Sequence, residues 1–344
     1  MSSRASKCLA FVVLCCGVQI ASAPRPTHAR DDEDDLLVSN VDRDRVERYD
    51  AGTGAFVDIF AAKHLGGMNQ PLGVLFGPHD HDVYVGTGIF GGPGQTKAVL
   101  RYDGDTGAFL GEFTYGTELE SPRGIIFGPD GDLFVIDRAS HDVGRICRFD
   151  GWTGEYLEDF VPYNDTFFMF TSLVFFESVE DAGRLDLYAS SVRTGSVSRF
   201  DGETGELLGA FVAPGSAGLN SPHGLTFGPD GDLYVASAPW GGNPGVWRFR
   251  GPSADAPGAF VEVFLPGVKA NWLIFGPNGD LYVTEADIAG GSLNAKNGRI
   301  GRYDGSTGDF LDYLVPPGGE LVAPGGLTFE GTDPVTLRYV DFTD

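Results

Sequence analysis

Cysteine is nearly absent beyond the first sixteen residues. Of the four in the chain, Cys8, Cys15 and Cys16 sit near the N-terminus, and only Cys147 remains thereafter. No internal disulfide can form after that point, so stability must come from a large core or from closure of the fold. Cys147, inside the strand-like ICRFD, reads as a small buried hydrophobe. Cationic stretches are missing too. Twenty-four Lys and Arg against 48 Asp and Glu leave a formal charge of −24, which argues against nucleic acid as a partner, because binding phosphates requires a cationic stripe. No apolar run is long enough to span a bilayer, and no stretch carries a helical period. Nucleophile elbows, phosphate loops and zinc motifs are absent.

What is present is glycine, 51 residues of it, with 21 prolines and 12% aromatics, a composition of many short strands and tight turns. Arg4 and Lys7 ahead of the apolar Cys8–Ile20 form a secretory signal over residues 1–29, cleaved after Ala23 or Ala29. Residues 30–35 form an acidic leader and residues 36–344 a single propeller domain. Removing the signal takes away Arg4, Lys7 and Arg25 but no acid. The expected product is secreted, extracellular or periplasmic, monomeric and well solvated.

Three phrases recur in fixed order: PxGLxFGPDG, then an acid and an apolar strand such as DLYV, then VxRYDGxTGxFLxxF. The arginine of the third falls at Arg48, Arg101, Arg148, Arg199, Arg248 and Arg302, spaced 53, 47, 51, 49 and 54 residues apart. Each copy holds four short strand-like runs, and Asp-Gly at two positions marks two hairpins. Four antiparallel strands repeated six times predict an all-β, six-bladed β-propeller. The N-terminal LLVSN (Leu36–Asn40) reads as a second strand and the C-terminal GGLTF (Gly325–Phe329) as an inner one, so the termini would share one blade and leave no free edge. One strand is surplus: Thr336–Val340, TLRYV, also resembles a second strand, and LLVSN is preferred for the closing blade.

Two reversals of direction separate the GPDGD and DGxTG hairpins, which puts both on one face of the disc. The opposite face receives the variable connections, from Gly86, Val161, Ser237 and Ala286, and loops on a rigid scaffold are where binding resides. The acids Asp35, Asp82, Asp132, Asp186, Asp232 and Asp280 precede the second strands at the constant face. Each is expected to brace the arginine of its own blade, contributing ~0.2 to 1 kcal/mol if exposed. The run HDHD, His79–Asp82, replaces PDGD and reads as a variant turn. The DGxTG loops carry too few acids for calcium.

Repetition fails at two positions per copy. The middle letter of PxG runs Leu72, Arg123, Ser172, His223, Asn271, Gly325, and the residue two beyond each second strand runs Asn40, Thr87, Asp137, Ser191, Ser237, Glu285. From these, Asn40, Arg123, Asp137, His223, Asn271 and Glu285 are candidate binding residues at the mouth of the channel, where a histidine with two carboxylates suits a divalent cation, calcium or magnesium, or a proton.

The phrase PHGLTFGPDGDLYV, followed by GRIGRYDGSTG, resembles the NHL-type repeats of bacterial secreted six-bladed propellers. It is similar more loosely to streptogramin lyase and gluconolactonase-like propellers. The lyase resemblance implies a role for His223 with an acid and magnesium; the lactonase-like one implies a divalent metal held by Glu285, Asn271 and Asp137. Two functions follow: a binding scaffold for a small molecule, glycan or protein on the variable face, or a metal-dependent lyase or lactonase at the channel mouth.

Overall fold

The computed structural model describes residues 35–87, 96–138, 144–163, 170–181, 183–237, 242–288 and 295–339. The expected signal and most of the acidic leader lie outside them. The described strands belong to one compact unit, residues 33–344, and form six four-stranded antiparallel blades, with no α-helix among the described residues. Blade 1 joins β1 (Asp35–Asn40), β2 (Arg45–Asp50) and β3 (Phe56–Ala61) to the last strand, β24 (Pro324–Phe329). Blade 2 holds β4 (Val74–Phe76), β5 (Val83–Gly86), β6 (Val99–Tyr102) and β7 (Phe109–Glu112), and blade 3 holds β8 (Pro122–Phe127), β9 (Leu133–Arg138), β10 (Gly144–Phe149) and β11 (Tyr156–Val161). Blade 4 holds β12 (Phe170–Glu177), β13 (Leu185–Ser191), β14 (Ser196–Phe200) and β15 (Leu207–Val212). In blade 5 the strands are β16 (Pro222–Phe227), β17 (Leu233–Ser237), β18 (Gly245–Phe249) and β19 (Phe260–Pro266); in blade 6 they are β20 (Ala270–Phe275), β21 (Leu281–Ile288), β22 (Ala295–Tyr303) and β23 (Phe310–Val315).

The ring closes as expected. β1 pairs antiparallel with β24, Leu36 opposite Phe329 and Val38 opposite Leu327, so LLVSN takes the second-strand place. The described part of TLRYV, residues 336–339, goes elsewhere. After β24 the chain crosses the constant-face end of the channel: Phe127 N–H, on the inner strand of blade 3, donates to Pro334 O at 3.1 Å, and Phe175 N–H, in blade 4, donates to Val335 O at 3.2 Å. Val335 and Leu337 pack on the core there, and Arg338 lies 5.3 Å above the Phe176 ring. The segment therefore satisfies inner-strand amides that would otherwise face the channel unpaired.

Aromatic pairs fasten blade to blade. The second-strand ring of one blade meets, edge on, the inner-strand phenylalanine of the next: Tyr84–Phe127, Phe134–Phe175, Tyr188–Phe227, Tyr234–Phe275 and, across the closure, Tyr282–Phe329, with centroids 4.9 to 5.1 Å apart. Such pairs contribute about 0.5–1.5 kcal/mol each beyond the area they bury. Blade 1 has Leu37 at that place, packed with Phe76 of blade 2.

The constant letters are accounted for by contact. All six Asp–Arg braces form, from Arg101–Asp82 at 2.5 Å to Arg302–Asp280 at 3.8 Å. Each is diagonal rather than directly opposite, since the residue opposite Arg101 is Tyr84. Gly151 N–H donates to Asp132 at 3.2 Å and Gly251 N–H to Asp232 at 2.9 Å, which joins the two hairpins of a blade on one face. The second glycine of DGxTG abuts the preceding blade. At Gly154 (φ +80°) a Cβ would stand 1.9 Å from Phe113 O, and at Gly107, Gly205 and Gly258 the same carbonyl contact is 1.8, 2.0 and 1.9 Å.

A direct test compares two glycines of similar φ. Gly154→Ala should lose about 1–2 kcal/mol to left-handed strain and more to the clash, whereas Gly231→Ala (φ +80°, nothing within 4 Å) should lose the strain alone. Equal losses in urea unfolding would mean that the inter-blade contact constrains nothing.

Candidate functional site

Second-strand pairing fixes which residues are equivalent at the variable face. Pro122 lies opposite Asp137, Pro222 opposite Ser237, Ala270 opposite Glu285 and Phe170 opposite Ser191. The mouth positions, one residue further on, are Leu72, Arg123, Thr171, His223, Asn271 and Gly325. This corrects the expectation for blade 4: Thr171, not Ser172, occupies the mouth, because β12 lacks the PxG letters that set the frame. Much of the variable face lies outside the described residues, including parts of the connections from Gly86, Val161, Ser237 and Ala286, as well as Phe167, Phe168, Met169 and Trp240. Phe170 and Trp272 are buried core residues.

The other six non-repeating residues, which the structure places at or near the variable-face ends of the second strands, form a separate, buried tier, each at most 2% exposed. Asn40 donates to Glu47 at 2.8 Å and to Glu320 O at 3.0 Å. Asp137 Oδ1 accepts from Glu120 N–H at 2.7 Å and Ser121 N–H at 2.9 Å, just ahead of β8. Thr87 donates to Ala98 O at 3.1 Å, and Ser237 donates to Asn220 O and to Asn243 O. In blades 1, 3 and 5 these groups tie down the segment entering the blade.

Three arginines neutralise the tier acids Asp137 and Glu285 and the Glu47 that Asn40 holds. Arg45 pairs with Glu47 at 2.6 Å, Arg145 with Asp137 at 3.0 Å, and Arg299 with Glu285 at 3.0 Å, with Tyr49 and Tyr303 donating to Glu47 and Glu285. Each arginine stands directly across from the tier residue of its blade. A signal was available: RVER, RICR and RIGR place a second arginine three residues before the brace arginine in these three copies alone. A buried carboxylate demands such a partner. Lys269 and Asn297 in turn hold Asp287 down to about 2 by hydrogen bonds to its carboxylate.

Asp137 and Glu285 thus lie in blades 3 and 6, opposite in the ring, each in its own ion pair. Among the described residues no three His, Cys, Asp or Glu groups converge on one point. The structure does bring Arg123, His223 and Asn271 together. Arg123 Nε donates to Ser121 Oγ at 3.4 Å, and Asn271 donates to Pro324 O at 2.8 Å. Burial first, then the Arg123 charge, pull His223 down to about 3, against an opposing hydrogen bond from Asn271. The imidazole is therefore neutral at physiological pH, able to donate at one nitrogen and accept at the other.

Elsewhere, the HDHD turn serves the scaffold: His79 stacks on Trp152, His81 stacks on Phe76 and pairs with Glu330 at 2.9 Å, and Asp80 and Asp82 both pair with Arg101. Cys147 is buried, its thiol pushed well above the usual range by that burial.

His223 carries a pH consequence. Its folded pKa lies below the unfolded value of 6.5, so the unfolded chain takes up the proton first. The neutral ring's contribution is complete above about pH 6.5 and declines as pH falls toward 3, by at most about 1.4 kcal/mol per pH unit. Urea unfolding at pH 7.5 and 5.0 should therefore show a smaller loss for His223→Gln than for the parent. Equal losses would refute the neutral-histidine assignment.

Comparison with known proteins gives likeness of shape alone. No family model matches the chain, and no curated protein matches it. Among solved structures, the crystal structure of a nidogen/laminin complex aligns with TM-score 0.59 at 16% identity, over 86% of this chain and 97% of that one. A protein of unknown function from Bacteroides caccae aligns with TM-score 0.57 at 14% identity, over 85% and 98%. At such identities the fold is what is shared, and the chain is a six-bladed β-propeller sealed by its two terminal strands.

Proposed function

We propose that this protein is a secreted binding scaffold of the NHL-repeat-like kind, which takes a small polar ligand or a glycan at the variable-face mouth of its channel. The observation that carries this reading is the inequality of the two ends. The constant-face end is crossed by the segment after β24, bonded to Phe127 and Phe175. At the other end a guanidinium, a neutral imidazole and a carboxamide, from Arg123, His223 and Asn271, stand on three inner strands. Convergent polar groups in a concave site are what fix a ligand's orientation. Export is supported by the cationic start and apolar core of residues 1–29.

The scaffold reading is favoured over a metal-dependent lyase or lactonase by the arginines on Asp137 and Glu285. A cation drawing on those carboxylates would have to displace a buried guanidinium from each, at the cost of leaving charges unpaired.

An array of neutral and acidic oligosaccharides, followed by calorimetry on the best binder, tests the mouth. Arg123→Ala and Asn271→Ala should each weaken binding about tenfold or more, in line with loss of a charge-assisted or buried hydrogen bond. Trp152→Ala, on the opposite face, should leave it unchanged. Loss of binding through Trp152 but not the mouth would overturn the proposal, and magnesium-dependent turnover of the bound compound would establish the enzymatic alternative. N-terminal sequencing of exported protein should begin at Pro24 or Arg30; an intact Met1 on the exported chain would exclude the cleaved signal.

A further inference from the structure

A second departure from the repeat lies on the rim of the disc, away from the mouth and independent of the reading above. In four blades an outer-strand acid joins the brace arginine: Asp58 on Arg48 at 3.5 Å, Glu158 on Arg148 at 3.3 Å, Glu262 on Arg248 at 3.3 Å and Asp312 on Arg302 at 2.6 Å. Blade 4 has Gly209 there, directly opposite Arg199, with no atom within 4 Å of where a Cβ would stand. Blade 2 also carries a glycine opposite its arginine, Gly111 against Arg101, but blade 4 adds two changes of its own. The hairpin between β12 and β13 is longer than GPDGD and supplies Val179. In the next blade GPSADAPG stands in place of DGxTG and supplies Pro257. With Leu208, Ala210 and Phe211 these residues line an open surface hollow of about 250 Å³, and Arg199 is its charged wall.

The chemistry of that wall is specific. Arg199 is 9% exposed. Its Nη2 holds Glu180 at 2.7 Å, a carboxylate that is 63% exposed. Its Nη1 stands 3.6 Å from Asp186 Oδ2, and neither of those two atoms makes a hydrogen bond. Nη1 is buried, whereas Nη2 is paired with an acid that stands largely in solvent, so Nη2 is the nitrogen a ligand would have to win from Glu180.

We infer that this rim hollow binds a small monocarboxylate with an aliphatic or aromatic body. The carboxylate takes the place of Glu180 on the Arg199 fork, a charge-assisted contact of the strong kind, and the body lies against Val179, Leu208, Phe211 and Pro257. The volume is below that of sites for drug-sized ligands, which restricts the ligand to about the size of octanoate or benzoate.

Calorimetric titration of the full chain with sodium octanoate at low salt tests the site, with saturation expected at a Kd on the order of 1 mM. Ala210→Tyr fills the hollow with the residue that blade 6 carries at the same place, Tyr313, and should weaken binding at least tenfold. Ala210→Ile, after Ile59 of blade 1, serves if the tyrosine variant melts early. Glu180→Gln removes the competing carboxylate and should tighten binding severalfold, 1-octanol should not compete, and Arg123→Ala at the mouth should have no effect. Failure of the parent to saturate, or unchanged binding in a folded Ala210 variant, would overturn the inference.

Discussion

Closure of the ring is the constraint on which the rest depends. Without the pairing of β24 with β1, blade 1 would lack its inner strand and blade 6 would present Tyr282 to water in place of the Phe329 ring. Among the described residues Cys147 is the one cysteine, so no disulfide there substitutes for that pairing. Noncovalent closure suffices because the junctions repeat nearly the same contacts: an aromatic edge against a phenylalanine at five of them, with Leu37 at the sixth, and a glycine against a neighbouring carbonyl. Identical junctions turn each blade by a similar amount, so the last strand arrives beside the first.

The same regularity manages an excess of negative charge. Forty-eight acids on one chain would repel one another across a compact disc. Many are instead absorbed locally. The constant-face acids are gathered around the brace arginines, several of which hold two or three carboxylates, as Arg148 holds Asp130, Asp132 and Glu158. Others act as turn caps, such as Asp150, which accepts from Thr153 and is held below the usual carboxylate range by those bonds. The buried acids among the described residues, Glu47, Asp82, Asp137, Asp186, Asp232 and Glu285, each have an arginine of their own blade, so charge and burial are reconciled within single blades.

The blade count, the two faces, the Asp–Arg braces and the closing strand were all legible in the sequence. The braces depend on contacts at short separation, since a hairpin places Asp132 beside Arg148 whatever the rest of the chain does, and the closing strand follows from counting the strands of the repeat. The six candidate residues fared unevenly. Arg123, His223 and Asn271 meet at the mouth, but Asn40, Asp137 and Glu285 belong to a buried tier that fastens strands and loops. Repeat position alone cannot separate these roles, because a polar residue at a strand end reads the same whether it faces ligand or the next segment of backbone. The RxxR spacing in three copies was the signal that three of these blades carry an internal counter-ion.

By itself the sequence determined the architecture, since periodic turns, alternating strands and the split first blade admit one closed arrangement. Only the tertiary structure decided where the non-repeating parts go. The segment after β24 looks like a strand and lies instead across the channel, because the ring already has its partner for every strand and the free inner-strand amides of blades 3 and 4 remain to be satisfied. Likewise, Val179, Gly209 and Pro257 are scattered changes along the chain, and they line one surface hollow because neighbouring blades bring together residues that no local rule connects.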